Sequence, residues 1–136
     1  MQNRILSTSP LNTDVAALLL RLIFGGMFIY FGYQKIINYD MYLGFFNDPI
    51  GIGNKLSYNL LIFGEFVCGI LVAAGFLTRI SVIPTFIAMC VAFFVAHAND
   101  PFEKSQSAFV YMLLCLPVFI LGSGRFSVDG IIFKKK

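Results

Sequence analysis

Glu65 stands inside an apolar run from Leu60 to Leu77 that is long enough to cross a lipid bilayer. A carboxylate at such depth costs ~2.5 kcal/mol or more to insert, and it is tolerated where it has a partner or a task. A buried carboxyl is suited to taking or giving a proton, which makes Glu65 the candidate catalytic residue. Its candidate counter-charge is Arg21 in the first apolar run, and Lys35 on the same face is a further pocket or pairing residue. At a helical rise of ~1.5 Å per residue, Glu65 lies ~18 Å and Arg21 ~9 Å above the same end of the bundle. An Arg side chain bridges much of that difference, so a Glu65–Arg21 pair is expected. Lys35 lies near the other end, where it can snorkel to the interface. Tyr30, Gln34, Cys68, His97, Gln106 and Tyr111 fall at or above the level of Glu65. Together they could line a polar pocket that opens outward, with Glu65 at its floor. His97 with Glu65 would make a proton path; alone, a His at a helix end more often serves as an interfacial anchor.

Two helix faces would hold these groups. Arg21, Gly25, Phe28, Gly32 and Lys35 are spaced 4, 3, 4 and 3 apart, which keeps them on one face. Glu65, Gly69, Val72, Phe76 and Arg79 repeat that spacing. The glycines let another helix approach closely, so the two seams should meet, either as the lining of a site or as plain packing.

The elements behind these faces follow from composition. Of 136 residues, 58% are hydrophobic and 12% charged, about half the charge of a soluble domain. Four apolar segments near the ~20 residues of a spanning helix can be drawn, at 15–37, 57–77, 80–98 and 106–122. The expected fold is all-α, a single membrane domain built as an antiparallel bundle of four transmembrane helices. Thr78-Arg79 makes a tight hairpin between spans two and three. Residues 38–56, rich in Tyr, Phe and Gly, suit a short interfacial helix ended by Asn47-Asp48-Pro49. Pro84 falls early in the third span, and Pro117 should kink the fourth.

Arg4, Arg21, Arg79, Arg125 and Lys134 to Lys136 gather at one end, Lys35, Lys55 and Lys104 at the other. The positive-inside rule then puts both termini, and a tail over 123–136, in the cytoplasm. The first 14 residues are polar and no cleavage site follows the first apolar run, which reads as a retained helix. The net charge of +3 is explained by topology, and no nucleic-acid partner is expected. Cys68, Cys90 and Cys115 are far apart and form no Cys-x-x-Cys, so they read as packing residues. One His and one buried carboxylate are too few to hold a metal, and no haem ligand set is evident.

The set Arg21-x3-Gly25-x2-Phe28-x3-Gly32-x2-Lys35, Glu65-x3-Gly69, Gly75-x2-Thr78-Arg79 and Gly122-x-Gly124-Arg125-x-Ser127-x-Asp129 resembles the DoxX family of small four-helix membrane proteins. The resemblance runs from about Leu18 to Asp129 and marks Arg79, Arg125 and Asp129 as a motif at the cytoplasmic end. Phe31 stands where many members have His, Gln106 where many have Glu, and Ser123 where Pro is common. The first two departures remove protonatable groups from the presumed pocket. The resemblance implies a membrane subunit of a redox complex, quinone- or thiol/sulfur-linked, because the family is named for components linked to thiosulfate:quinone oxidoreduction.

Two functions of different class follow. In the first, Glu65, Tyr111 and His97 bind a quinone-like headgroup or a small sulfur compound, a redox protein partner supplies electrons, and Glu65 exchanges the proton. In the second, the chain is a non-enzymatic assembly factor or scaffold whose charged seam sets helix register and whose outer loop binds a partner protein. A transporter would need a homo-oligomer, and no repeated half or broken-helix pair is visible.

Overall fold

The computed structural model describes residues 5–133. Four helical spans, Thr13–Ile37, Asn54–Ala74, Thr78–Ala96 and Phe102–Leu121, are long and apolar enough to cross a membrane. Each lies within a few residues of its expected position. The first span is one helix, α1 (Thr13–Ile37), started by the Asn12 side chain, which accepts from the N–H groups of Asp14 and Val15. A seven-residue helix, α2 (Tyr39–Phe45), follows with no buried residue, as an interfacial helix should. The second span is α3 (Asn54–Ile62), a π-helical turn at Phe63–Val67, and α4 (Cys68–Ala74). The third is α5 (Thr78–Val91) with a π-helical turn at Ala92–Ala96, and the fourth is α6 (Phe102–Leu121). A five-residue helix, α7 (Val128–Ile132), closes the described chain.

The spans form a ring in which α1 packs along α4, α4 against α5, α5 along α6, and α6 back on α1. Phe24, Phe28, Val72, Val82, Met89, Met112, Cys115 and Val118 fill the centre. The remaining large apolar side chains point outward in great number, as hydrocarbon-facing helices require.

Glycine decides how closely α1 meets the second span. A Cβ on Gly25 would lie 2.6 Å from the Gly69 carbonyl oxygen and 2.7 Å from the Ala73 nitrogen. One on Gly32 would lie 2.5 Å from the Phe66 Cβ. The two expected seams do meet, and their glycines fix the register.

In the tail after the fourth span, residues 123–133 fold back over the bundle end. Helix α6 continues through Pro117, and the second and third spans each contain a π-turn. Such turns place one extra residue in the winding and are common at functional sites. Arg4 and Lys134 to Lys136 lie outside the described residues.

Candidate functional site

Glu65 sits in the π-turn of the second span and is 2% exposed. Its partner is Lys35, whose Nζ lies 2.7 Å from Glu65 Oε1. At that distance the ammonium and the carboxylate form a close ion pair. The Lys35 side chain is 25% exposed, and it links the buried carboxylate to the end of the bundle opposite the termini. Tyr58 supports the pair from below α2. It is buried, its hydroxyl donates to the Lys35 carbonyl at 3.0 Å, and Tyr39 and Phe46 pack edge-on against its ring. Tyr58 was not singled out in the sequence, although its seven-residue spacing from Glu65 puts both on one helix face.

Arg21 is therefore not the partner of Glu65. It is 1% exposed, and its guanidinium donates to the carbonyls of Val72 (3.4 Å), Ala73 (2.9 Å) and Phe126. The cause is register. With Gly25 against Gly69 and Ala73, Arg21 falls one turn lower, at the C-terminus of α4, where unpaired carbonyls attract a cation. Gly32 against Phe66 brings Lys35 above Glu65.

The other expected pocket residues do not converge on Glu65. Tyr30 is 56% exposed on the outer face of α1. Gln106 is exposed. His97 pairs through Nδ1 with Asp100 Oδ2 at 2.8 Å, in the turn after the third span. Tyr111 packs edge-on against Phe28 and Phe31, with ring centroids 5.0 and 5.5 Å away. Phe31 thus makes an aromatic cluster with Phe28 and Tyr111. Among the described residues no three His, Cys, Asp or Glu side chains come together as a metal site would need. Cys68 and Cys115 are buried and Cys90 is half-buried, all as free thiols.

The motif at the termini end forms a connected clamp. Gly75 takes φ +77° to close α4, and Leu77 takes the left-handed conformation at φ 48° that Gly would normally supply. Asp129 holds this turn from both sides. Its carboxylate accepts the Leu77 N–H at 2.9 Å, and its own N–H donates to the Gly75 carbonyl at 3.0 Å. Ser123 donates to the same carboxylate and meets the Thr78 hydroxyl at 2.7 Å. Arg79 caps α6 through the carbonyls of Phe119 (2.8 Å) and Ile120 (3.2 Å). Arg125 takes part through its backbone, donating its N–H to Asp14 Oδ1 at 3.1 Å, while its guanidinium stacks on Phe126. At this end the Arg79 and Asp129 side chains hold backbone, and Arg125 is itself held by its backbone N–H.

A cavity of about 330 Å³ opens on the other side of the second span, between it and the third. Its lining is apolar apart from Ser57, and Glu65 does not contribute to it.

A search of the curated proteins and of the solved structures gives no match. The DoxX family profile matches residues 16–98, which takes in the first three spans with Arg21, Lys35, Glu65 and Arg79. With that match over more than half of its length and four helices able to span a bilayer, the chain is a multi-pass membrane protein and belongs to the DoxX family.

Proposed function

We propose that this chain is the membrane subunit of a redox complex, quinone- or thiol/sulfur-linked, and that its own contribution is to bind and position rather than to carry electrons. The observation behind this reading is the closed state of the charged centre. Glu65 is sealed from the surroundings and neutralised by Lys35, while Tyr30, His97 and Gln106 face away from it. Electrons come from a redox protein partner in the same membrane. The bundle sits in a bacterial plasma membrane with both termini in the cytoplasm, which puts the Lys35 end and α2 on the outer side.

Purification in mild detergent from the native membrane, for wild type and Glu65→Gln, tests the reading. A redox protein that co-purifies with both, with complex activity retained in the variant, is the expected result. No redox partner at all would sink it.

A second reading keeps chemistry at Glu65, and the partial exposure of Lys35 favours it, because that side chain offers the carboxylate a route to outer water. There Glu65 exchanges a proton with a bound quinone headgroup or small sulfur compound. Loss of complex activity in Glu65→Gln with the partner still bound would select it. The scaffold alternative is selected if the co-purified partner is not a redox protein and changes in 39–56 abolish its binding.

A further inference from the structure

We infer that the cavity between the second and third spans is a binding site for one acyl chain of a bilayer phospholipid. The inference does not rest on the redox reading. Three alanines, Ala88, Ala92 and Ala96, line the cavity from the third span at a spacing of four, so small side chains repeat along one helix face. From Ala88 to Ala96 that face runs ~12 Å. Leu61 and Phe63 line it from the second span and Ile50 from the outer loop. Phe63 and Ile87, lining residues that lie within the second and third spans, are about half exposed, so the cavity is continuous with the lipid-facing side of the bundle.

The two spans are tied together beside this space and it stays open between them. Both π-turns border it, through Phe63 on one side and Ala92 and Ala96 on the other. Between them, Thr85 donates to the Gly64 carbonyl at 2.6 Å and locks the two helices at a fixed separation. An unfilled apolar space loses dispersion contacts on all its walls, so an occupant is stabilising. The lining offers almost no polar group, which excludes a headgroup and leaves hydrocarbon. At about 330 Å³ the cavity is near the small end of ligand sites, enough for one chain rather than a whole lipid. Phospholipid is the occupant because the bilayer presents its acyl chains at the mouth in large excess, and occupancy follows concentration.

The test is photo-crosslinking of the wild-type protein, reconstituted in phosphatidylcholine vesicles doped with a phospholipid bearing a diazirine on one acyl chain. Labelled peptides are identified by mass spectrometry, and native mass spectrometry of the detergent-washed protein identifies what it retains. The expected result is labelling concentrated on peptides containing Phe63 and Ala92, with one phospholipid retained. Ala92→Phe and Ala96→Phe should each lower that labelling by about tenfold, the factor produced by losing burial of roughly two methylenes. The outer-face substitution Ile23→Phe should not. If either alanine variant fails to fold, the wild-type labelling pattern decides alone. Labelling spread evenly over all lipid-facing peptides would overturn the inference, as would retention of a quinone in place of phospholipid.

Discussion

At the end of the bundle that carries the chain termini, charged side chains bind backbone. Arg21 reaches three carbonyls, Arg79 two, and Asp129 grips both sides of the Gly75–Leu77 turn. At the opposite end, Lys35 pairs with Glu65 and His97 with Asp100, and the one carboxylate that binds backbone, Asp48, holds only its own loop. The difference is one of consequence. A side chain that satisfies helix termini fixes where the helices end and cannot be released without stranding carbonyls in a low-dielectric setting. A pair of side chains can open, exchange protons or admit a ligand while the helices stay in place. The termini end is built as a clamp, and the Lys35 end is the one whose side-chain pairs can open without moving a helix terminus.

Arg21→Met breaks the clamp at its centre and carries the largest expected effect. It removes three charge-assisted hydrogen bonds from a buried position and leaves their carbonyls unpaired, for a loss of about 4 kcal/mol. Thermal unfolding in detergent should show a large drop in midpoint. A change as small as that of an exposed substitution would show that the clamp is not what holds this end.

Lys35→Met addresses the opposite end. It leaves the Glu65 carboxylate buried without its counter-charge, at a cost of about 3 kcal/mol. Adding Glu65→Leu should restore most of that stability, because no charge is then stranded. Arg21→Met has no such rescue, since backbone carbonyls cannot be substituted away. A double variant as unstable as Lys35→Met would dissolve the distinction between the two ends.

The sequence makes the four spans and the interfacial helix legible, because lipid imposes both length and composition on each segment. Span limits are displaced by only a few residues, as between the expected 106–122 and the observed Phe102–Leu121. The two glycine seams were also legible. Their register was not, and register decides partners. Depth along separate helices favoured Arg21 for Glu65, whereas contact of Gly25 with Gly69 and Ala73 sends Arg21 to the end of α4 and gives Glu65 to Lys35. The π-turns were hidden for a related reason. They depend on how neighbouring helices meet, as at Thr85 and Gly64, and leave no local signal of composition. The pocket imagined around Glu65 assumed that groups at equal depth face one another. Tyr30 and Gln106 share that depth but point outward.

Gly32→Ala sharpens the comparison by moving the helices rather than the charges. The added methyl would meet the Phe66 Cβ at 2.5 Å and its backbone at 2.8 Å, so α1 must shift away from the second span, at a cost of about 1–3 kcal/mol. That shift acts next to the charge pair. Stability changes from Gly32→Ala and Lys35→Met should therefore fall short of additive, whereas Gly32→Ala and Arg21→Met should add. Unfolding midpoints of the singles and doubles decide it.

The smallest effect lies in the loop above the charge pair. Desolvation works to raise the Asp48 carboxyl. The N–H groups of Gly53, Ile50 and Gly51 and the hydroxyl of Ser57 outweigh it and hold the group below the usual carboxylate range. A carboxyl depressed in the folded state contributes stability that is complete above its unfolded value of ~3.9. That contribution fades as pH falls through the lower folded value. The loop should stay ordered from neutral pH down to about pH 4 and loosen only below that. Hydrogen exchange at the Gly51 and Gly53 amides follows this directly, and Asp48→Asn should show the loosened pattern already at neutral pH. The clamp at the termini end also contains a carboxylate, Asp129, but its hydrogen bonds lie under the fold-back of 123–133. Exchange at the Leu77 amide should therefore stay slow in Asp48→Asn. Faster exchange there would mean that the two ends of the bundle are coupled, and that the clamp yields when the Asp48 loop does.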